Sequence, residues 1–245
     1  MTKLENNTIF GIKINSVDMP TTLDTIEGFI RDGSPHMVVT ADSSGVVMAQ
    51  DDLELKKIIN EADMVTPDSA GILWAARKFG RPLPERVSGA DIAVFLCERA
   101  AKSGHSVFLL GSEPGVADTA EENLTKRFPG LKIAGTHHGY FGPEESDAVV
   151  AKVRDAQPDI LFVAFGIPRQ EKWIYDNKAA LNVPVSMGVG GTLDVIAGKV
   201  KRAPKWMQRN GLEWIYRLAS NPKKISKCMT LPIFVMMVLR SRDGK

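Results

Sequence analysis

The segment DILFVAFGIPRQEKWIYDNKAALNVPVSMGVGG, residues 159–191, decides the fold. It opens with a predicted strand over 159–166, which is apolar after Asp159, continues with a helix-like stretch over 168–181 and closes with a second, largely apolar stretch over 183–191. Continuous apolar runs favour parallel strands that are covered on both faces, whereas half-exposed strands alternate apolar and polar residues. The segment therefore predicts a strand–helix–strand unit of a parallel sheet.

Strands and helices alternate in the same way over most of the chain. An opening strand or hairpin is predicted over 8–17, and Thr21 or Thr22 is expected to cap the helix that follows. A helix over 43–62 is expected to break near its paired acids. Further short strands are predicted at 36–40, 63–67, 106–111 and within 131–141. This order predicts an α/β protein with a Rossmann-like parallel sheet and helices on both faces.

The last part of the chain differs from the rest in its charge. Residues 199–245 contain twelve Lys or Arg and two acidic residues, whereas the remainder holds 19 basic and 27 acidic residues. We therefore predict a Rossmann-like core over 1–198 and a basic, amphipathic, helical C-terminal appendage over 199–245 that meets an anionic partner. The apolar segment 231–239 is too short to span a bilayer. It is expected to lie on a membrane surface, and the alternative is an ordinary C-terminal helix pair docked on the domain.

The composition narrows the classes of protein to consider. Hydrophobic residues make up 44% of the 245 residues, which is enough for a full core. No run approaches the roughly 20 apolar residues of a membrane-spanning helix, and the amino terminus lacks the pattern of a signal peptide. We therefore expect a cytoplasmic protein, peripheral at the inner face of the cell membrane. Cys97 and Cys228 form no CxxC pair, so neither a disulfide nor a zinc site is expected.

The candidate site is predicted at one edge of the sheet. In an open parallel sheet, ligands bind beyond the carboxyl ends of the strands. Residues suited to binding follow the predicted strands at this edge: Thr40, Asp42, Asp68, Gly111, Tyr140, Gly166, Gln170, Gly190, Gly191 and Asp194. Because these strand ends share an edge, we expect the ten residues to form one constellation.

Two features of this constellation have alternative interpretations. Asp68 lies between a strand and a helix, so it can cap the helix, accept a proton from an acceptor hydroxyl, or do both. Asp42 has the same ambiguity, with capping favoured. The glycines of 188–191 let backbone amides approach a phosphate, but a tight turn without a ligand explains them equally well. No Asp-x-Asp pair is present to hold a metal on a diphosphate, so Arg or Lys would have to balance its charge.

Four stretches occur in a specific order along the chain. They are TPDSAGILWAARKFGRPLPERVSGAD (66–91), FGIPRQEKWI (165–174), GVGGTLDVIAGKVKRAP (188–204) and GLEWIYRL (211–218). Together they resemble the TagA/WecG/CpsF family of bacterial glycosyltransferases. The resemblance implies an inverting, metal-independent transfer, without a cofactor, of N-acetylmannosamine or a related sugar from a UDP-sugar. It implies an acceptor of N-acetylglucosamine on undecaprenyl diphosphate, in the synthesis of wall teichoic acid or exopolysaccharide.

The resemblance also implies roles for single residues. Asp68 matches the family's proposed catalytic base. Positions implicated in the sugar and diphosphate pocket are matched by Thr40, Arg86 and Gln170. The nucleotide-binding rim is matched by Tyr140, Gly190, Gly191 and Asp194. Arg217 matches an arginine of the appendage and is expected, with Arg86, to stabilise the departing diphosphate. The chain departs from the family where TADSS replaces TANAE or TPNAE, so that Asp42 stands in place of an asparagine near the acceptor.

Two other classes of protein stay open at this point. A Rossmann-type oxidoreductase or epimerase would use the same sheet, but no GxGxxG lies near the amino terminus. A non-enzymatic membrane-surface or nucleic-acid-binding module could use the basic appendage with Trp206 and Trp214. The expected partners are a UDP-sugar, a polyprenyl-diphosphate-linked acceptor and an anionic membrane surface, without nucleic acid. A homo-oligomer is compatible with the sequence.

Overall fold

A computed structural model of the chain describes residues 4–204, 206–207, 216 and 230–241. The strands within these residues are β1 Asn6–Ile9, β2 Ile12–Asn15, β3 His36–Ala41, β4 Met64–Pro67, β5 Ser106–Gly111, β6 Lys132–His137, β7 Ile160–Ala164 and β8 Val185–Gly188. The helices are α1 Met19–Asp32, α2 Ser43–Asp51, α3 Leu53–Glu61, α4 Ala70–Lys78, α5 Gly89–Ser103, α6 Val116–Arg127, α7 Ser146–Ala156, α8 Arg169–Leu181, α9 Thr192–Ile196 and α10 Thr230–Arg240. A short 3-10 helix, Pro143–Glu145, precedes α7.

The larger sheet has six strands in the order β4-β3-β8-β7-β5-β6. The pairs β3–β8, β8–β7, β7–β5 and β5–β6 are parallel. Parallel neighbours need crossover connections, and helices between successive strands supply them. The predicted α/β, Rossmann-like parallel sheet flanked by helices is confirmed.

Within the described residues, the predicted opening hairpin and the predicted helix break are confirmed, and one predicted helix start is wrong. Strands β1 and β2 form the expected antiparallel hairpin. The predicted break in the second helix falls at Asp52, whose side chain caps α3 by accepting from the amide of Leu55. The expected cap at Thr21 or Thr22 is wrong, because α1 already begins at Met19.

The chain divides into two compact units. The first unit comprises Met19–Val39 and Gly89–Lys201. Its helices α1, α5, α9 and α6 contact one another in series, and α7 packs against α8. Phe108 and Phe162 on neighbouring strands are among the largest fully buried side chains of its core. Cys97 is a free thiol in this core, where burial raises its pKa to about 12 and keeps it protonated.

The second unit comprises Thr2–Asp18, Thr40–Ser88 and Arg202–Lys245. Helix α10 packs against α2 and α4 in this unit. Phe234 of α10 is 0% exposed, and its ring meets the ring of Phe10 edge to face at a centroid distance of 6.1 Å. At the other end of α10, Lys78 donates hydrogen bonds to the carbonyls of Val238 and Leu239. Helix α10 is therefore docked, as the alternative interpretation expects, whereas most residues of the other helix of the expected pair lie outside the described part of the chain.

The outward face of α10 is apolar as well. The exposed apolar side chains on it are Ile233, Val235, Met236 and Leu239. No helix among the described residues has both the length and the apolar character needed to cross a bilayer. The predicted contact of this segment with a membrane surface and the predicted boundary at residue 198 stay predictions.

Candidate active site

Asp68 and Arg86 form a pair in the second unit. Asp68 follows β4 directly, and Arg86 lies just before α5. The Nε of Arg86 donates to the carbonyl of Asp68 at 2.8 Å, and its Nη2 lies 3.4 Å from Oδ1 of the Asp68 carboxylate. The Arg86 segment is tied to the strand end, because the amide of Val87 donates to the carbonyl of Pro67 at 2.8 Å. About one fifth of each paired side chain is exposed, so the carboxylate is held in place yet reachable by a substrate.

Ser69 caps α4 in place of Asp68. The Oγ of Ser69 accepts from the amide of Ile72 at 3.2 Å, and it lies 2.9 Å from the Oγ of Ser43. The capping interpretation of Asp68 is therefore wrong, and its carboxylate faces Arg86 instead. Sequence reasoning missed this role of Ser69, although serine at a helix start is a recognised capping signal.

Asp42 caps helix α2, which confirms the favoured interpretation of this residue. Its Oδ1 accepts from the amide of Gly45 at 2.7 Å at the start of α2. Thr40 lies two residues earlier in the chain, half-buried in β3. The amide of Asp68 donates to the carbonyl of Ala41 at 2.9 Å, which places the starts of α2 and α4 side by side. Two helix amino termini carry partial positive charge, which favours negative oxygen atoms in this part of the unit.

Gln170 connects two glycine loops of the first unit. It lies in the first turn of α8 and is 4% exposed. Its Oε1 accepts from the amide of Gly166, after β7, and from the amide of Gly190, after β8, each at 3.0 Å. Three of the predicted site residues therefore form a single hydrogen-bonded group.

Asp194 of α9 is hydrogen-bonded to the residue that follows Gly111 at the end of β5. The Oγ of Ser112 donates to Oδ2 of Asp194 at 3.2 Å. A Cβ at Gly111 would lie 2.7 Å from the backbone of Ala164, so the close approach of β5 and β7 requires glycine there. Gly191 precedes α9, and Asp194 lies in the first turn of that helix.

A cation and an exposed aromatic ring accompany Asp194. Lys199 forms an ion pair with Glu113, and this hydrogen bond is the main cause that raises the pKa of Lys199. Asp194 and Tyr140 raise the pKa further through their charges. Tyr140 is 65% exposed, so its ring is available to stack on a planar ligand such as a base. The sequence did not predict the ion pair of Lys199 with Glu113, because no local spacing relates two residues that lie so far apart in the chain.

A cleft of about 230 Å³ lies at the carboxyl end of β6. It is lined by Gly115, Ala117, Asp118, Thr136, His137, His138 and Lys152. Burial is the main cause that lowers the pKa of His137, which favours the neutral imidazole. Neutral imidazole, hydroxyl and ammonium groups here can hydrogen-bond a polar ligand.

Arg217, the predicted cation of the appendage, lies outside the described residues. Within the described part of the chain, no cluster of three or more His, Cys, Asp or Glu side chains is arranged to hold a metal ion. The site residues thus form two groups, one in each unit: Asp68 with Arg86 and the two helix starts, and the glycine loops with Gln170 and Asp194.

Comparison with known proteins defines the class. Residues 7–245 match the model of the glycosyl transferase WecG/TagA/CpsF family. The protein is therefore a glycosyltransferase, built on a Rossmann-like sheet. The chain belongs to the WecG/TagA/CpsF family, because the match covers nearly its whole length.

Similar proteins carry a more specific name. Proteins from Staphylococcus aureus strains MW2, NCTC 8325 and N315 are each 31% identical over 236 residues, which is 96% of this chain and 92% of each relative. They are named N-acetylglucosaminyldiphosphoundecaprenol N-acetyl-β-D-mannosaminyltransferases. Because the chain belongs to a glycosyltransferase family, the two other classes that the sequence left open, an oxidoreductase or epimerase and a non-enzymatic binding module, no longer apply.

Proposed function

We propose that this protein transfers N-acetylmannosamine, or a closely related sugar, from a UDP-sugar to N-acetylglucosamine on undecaprenyl diphosphate. The names of the relatives support the transferred sugar and the acceptor. The product would enter the synthesis of a cell-surface polymer such as wall teichoic acid or an exopolysaccharide. The transfer is inverting and uses neither a metal nor a cofactor.

The Asp68–Arg86 pair carries the proposal, because it places a reachable carboxylate outside the helix cap. In the proposed step, Asp68 accepts the proton of the acceptor hydroxyl. The hydroxyl oxygen forms a bond to the anomeric carbon of the donor as the bond from that carbon to the diphosphate breaks. The electron pair of the broken bond leaves with UDP. A single displacement of this kind inverts the anomeric carbon.

The leaving diphosphate needs positive charge close to it. Arg86 and Arg217 are the proposed cations, and guanidinium groups suit this task because they bind phosphate oxygens in a bidentate manner. The amides of the glycine loops, with Gly190 and Gly191, are proposed to approach the phosphates. The ring of Tyr140 and the carboxylate of Asp194 are proposed to hold the nucleoside. Thr40 and Gly111 remain candidates for contacts to the sugar.

The basic appendage is proposed to hold the enzyme at the inner face of the membrane, where the lipid-linked acceptor lies. Restricting enzyme and acceptor to one surface raises their effective concentration. Anionic lipids attract Lys and Arg near the surface by about 1 kcal/mol for each residue. The exposed apolar face of α10 adds area that such a surface can bury.

A transfer assay with defined substrates tests this function. The full chain is incubated with a short-chain lipid diphosphate that carries N-acetylglucosamine and, separately, with UDP-N-acetylmannosamine, UDP-N-acetylglucosamine, UDP-N-acetylgalactosamine and UDP-glucose. We expect lipid-linked product with UDP-N-acetylmannosamine, with the anomeric configuration opposite to that of the donor and an unchanged rate in the presence of a chelator.

Each part of this outcome can be contradicted separately. Transfer from none of these UDP-sugars would refute the assignment of donor and acceptor. A product that retains the donor configuration would refute the single displacement. Loss of activity with the chelator, restored by a divalent cation, would refute the metal-independent mechanism.

A further inference from the structure

We propose that Gln170 is a positioning residue, which sets the spacing of two glycine loops and does not itself contact the substrate. The two loops are those that begin at Gly166 and at Gly190. This inference rests on the proposed function, in which the loop with Gly190 approaches the donor diphosphate. It changes the role that the family resemblance implies for Gln170, a direct contact in the sugar and diphosphate pocket.

The carbonyl oxygen of the Gln170 side chain is fully used inside the protein. It accepts from the amide of Gly166 and from the amide of Gly190, each at 3.0 Å. An amide oxygen has two lone pairs, so two donors occupy its acceptor capacity. A substrate hydroxyl or amide therefore has no acceptor to bind on this oxygen.

The amide nitrogen of Gln170 is also engaged. Its Nε2 donates to Oε1 of Glu171 at 2.8 Å, and the two side chains are 4% and 3% exposed. Gly188 makes room for this arrangement, because a Cβ there would lie 2.8 Å from Cδ of Gln170 and closer still to Nε2. A side chain this deeply enclosed acts on a ligand through the loops it holds.

The loops need such a bridge, because their glycines bring little packing of their own. Gly166 and Gly190 have positive φ angles of 77° and 54°, and the space beside Gly190 where a Cβ would stand has no atom within 4 Å. The backbone amide of Gln170 donates to the carbonyl of Gly166 at 3.1 Å, so the contact between these two residues is reciprocal. One side chain thereby fixes the chain entering α8 and the chain leading to α9.

A pair of isosteric substitutions tests the bridge. Gln170→Glu keeps an oxygen for the two glycine amides but puts a second carboxylate beside Glu171, and like charges repel in a buried site. The double variant Gln170→Glu with Glu171→Gln reverses the pair, so that a carboxylate at 170 can accept from both glycines and from an amide at 171. Gln170→Leu removes the bridge altogether.

Amide hydrogen exchange of Gly166 and Gly190 in the full chain, measured without substrate, is the first readout. We expect Gln170→Leu and Gln170→Glu to raise the exchange rates of both glycines together, by about tenfold, which is the effect of losing a hydrogen bond of ordinary strength. The reversed double variant should return both rates to within about threefold of the wild type. Unchanged exchange in Gln170→Leu would overturn the proposal.

The KM for the UDP-sugar is the second readout. A positioning role predicts that the KM rises in Gln170→Glu and falls back in the reversed double variant together with the exchange rates. A KM that stays raised in the double variant, while both glycines are protected again, would show that the Gln170 amide contacts the donor and would overturn the proposal. Gln50→Leu is the matched control, because the Gln50 amide donates to the carbonyls of Phe10 and Val46 in the second unit. It should leave the exchange of both glycines and the KM unchanged.

The two readouts separate this proposal from the proposed function. Hydrogen exchange needs no substrate, so it reports the bridge even if the donor assignment is wrong. If the transfer assay fails with every UDP-sugar while the amide exchange rates of Gly166 and Gly190 change as expected, the proposed function is refuted and the positioning role of Gln170 is supported.

Discussion

The two residues that follow β4, Asp68 and Ser69, have different roles. Ser69 accepts from the helix amide of Ile72, which leaves the Asp68 carboxylate to pair with Arg86. A carboxylate in hydrogen-bond reach of an acceptor hydroxyl can take its proton as a general base. Arg86 contacts both the carbonyl and the carboxylate of Asp68, and these two contacts orient the carboxylate.

Arg86→Lys should lower turnover by about tenfold or more. Lysine keeps the charge, but it lacks the planar fork with which arginine reaches both the carbonyl and the carboxylate of Asp68. The measurement is the turnover number for the lipid acceptor at saturating donor. Arg81→Lys, at an exposed position of the same unit, is the control and should turn over normally. Equal activity of the two variants would argue against a role of Arg86 in orienting Asp68.

The sequence allowed us to predict the role of Asp42 but not the roles of Ser69 and Gln170. Asp42 was expected to cap a helix and does so, because the pattern of a polar residue before an apolar helix is local. The role of Ser69 was hidden by the neighbouring Asp68, since either side chain can cap. The bridge of Gln170 to Gly190 joins residues 20 positions apart, and no local pattern encodes such a contact.

Helix α10 has two apolar faces with different surroundings. Phe234 and Val238 are fully buried in the second unit, and Ser44 hydrogen-bonds Thr230 at the start of the helix at 2.7 Å. The other face exposes Leu239 at 63%. A helix that is apolar all round shows no periodic pattern, so the sequence could not reveal which face docks on the unit.

Phe234→Ala should destabilise the protein by about 3–5 kcal/mol, because it leaves a cavity among Phe10, α2 and α4. The free energy of unfolding in denaturant measures the effect. Leu239→Ala on the same helix removes an exposed side chain and should change stability by less than about 0.5 kcal/mol. Equal losses in the two variants would contradict the docking of α10 through Phe234.

At the scale of the whole molecule, the sequence predicted the kind of sheet but not its strand order. Continuous apolar runs such as 159–166 and 183–191 indicate covered parallel strands, and β7 and β8 are indeed neighbours. The placement of β8 between β7 and β3 depends on contacts across about 150 residues of chain. The second unit likewise combines three distant stretches, including the appendage, and the charge of the appendage does not indicate which stretches it joins.

The full chain should sediment with vesicles that contain anionic lipid, and less so as salt rises. Leu239→Glu should weaken this binding by about tenfold, since it puts a charge on the exposed apolar face of α10. Leu53→Glu is the matched control, because Leu53 is a leucine on α3 of the same unit that is also exposed, at 76% against 63% for Leu239. Equal binding of both variants would contradict the role proposed for this face of α10.

The most direct test of the central claim, that Asp68 is the general base, is the turnover of Asp68→Asn. We expect turnover to fall by about a hundredfold or more, because the amide cannot take the acceptor proton. UDP should still raise the melting temperature of the variant as it does for the wild type. Asp52→Asn, at the capping aspartate of α3, should retain near-normal turnover. Near-normal turnover in Asp68→Asn would contradict the claim.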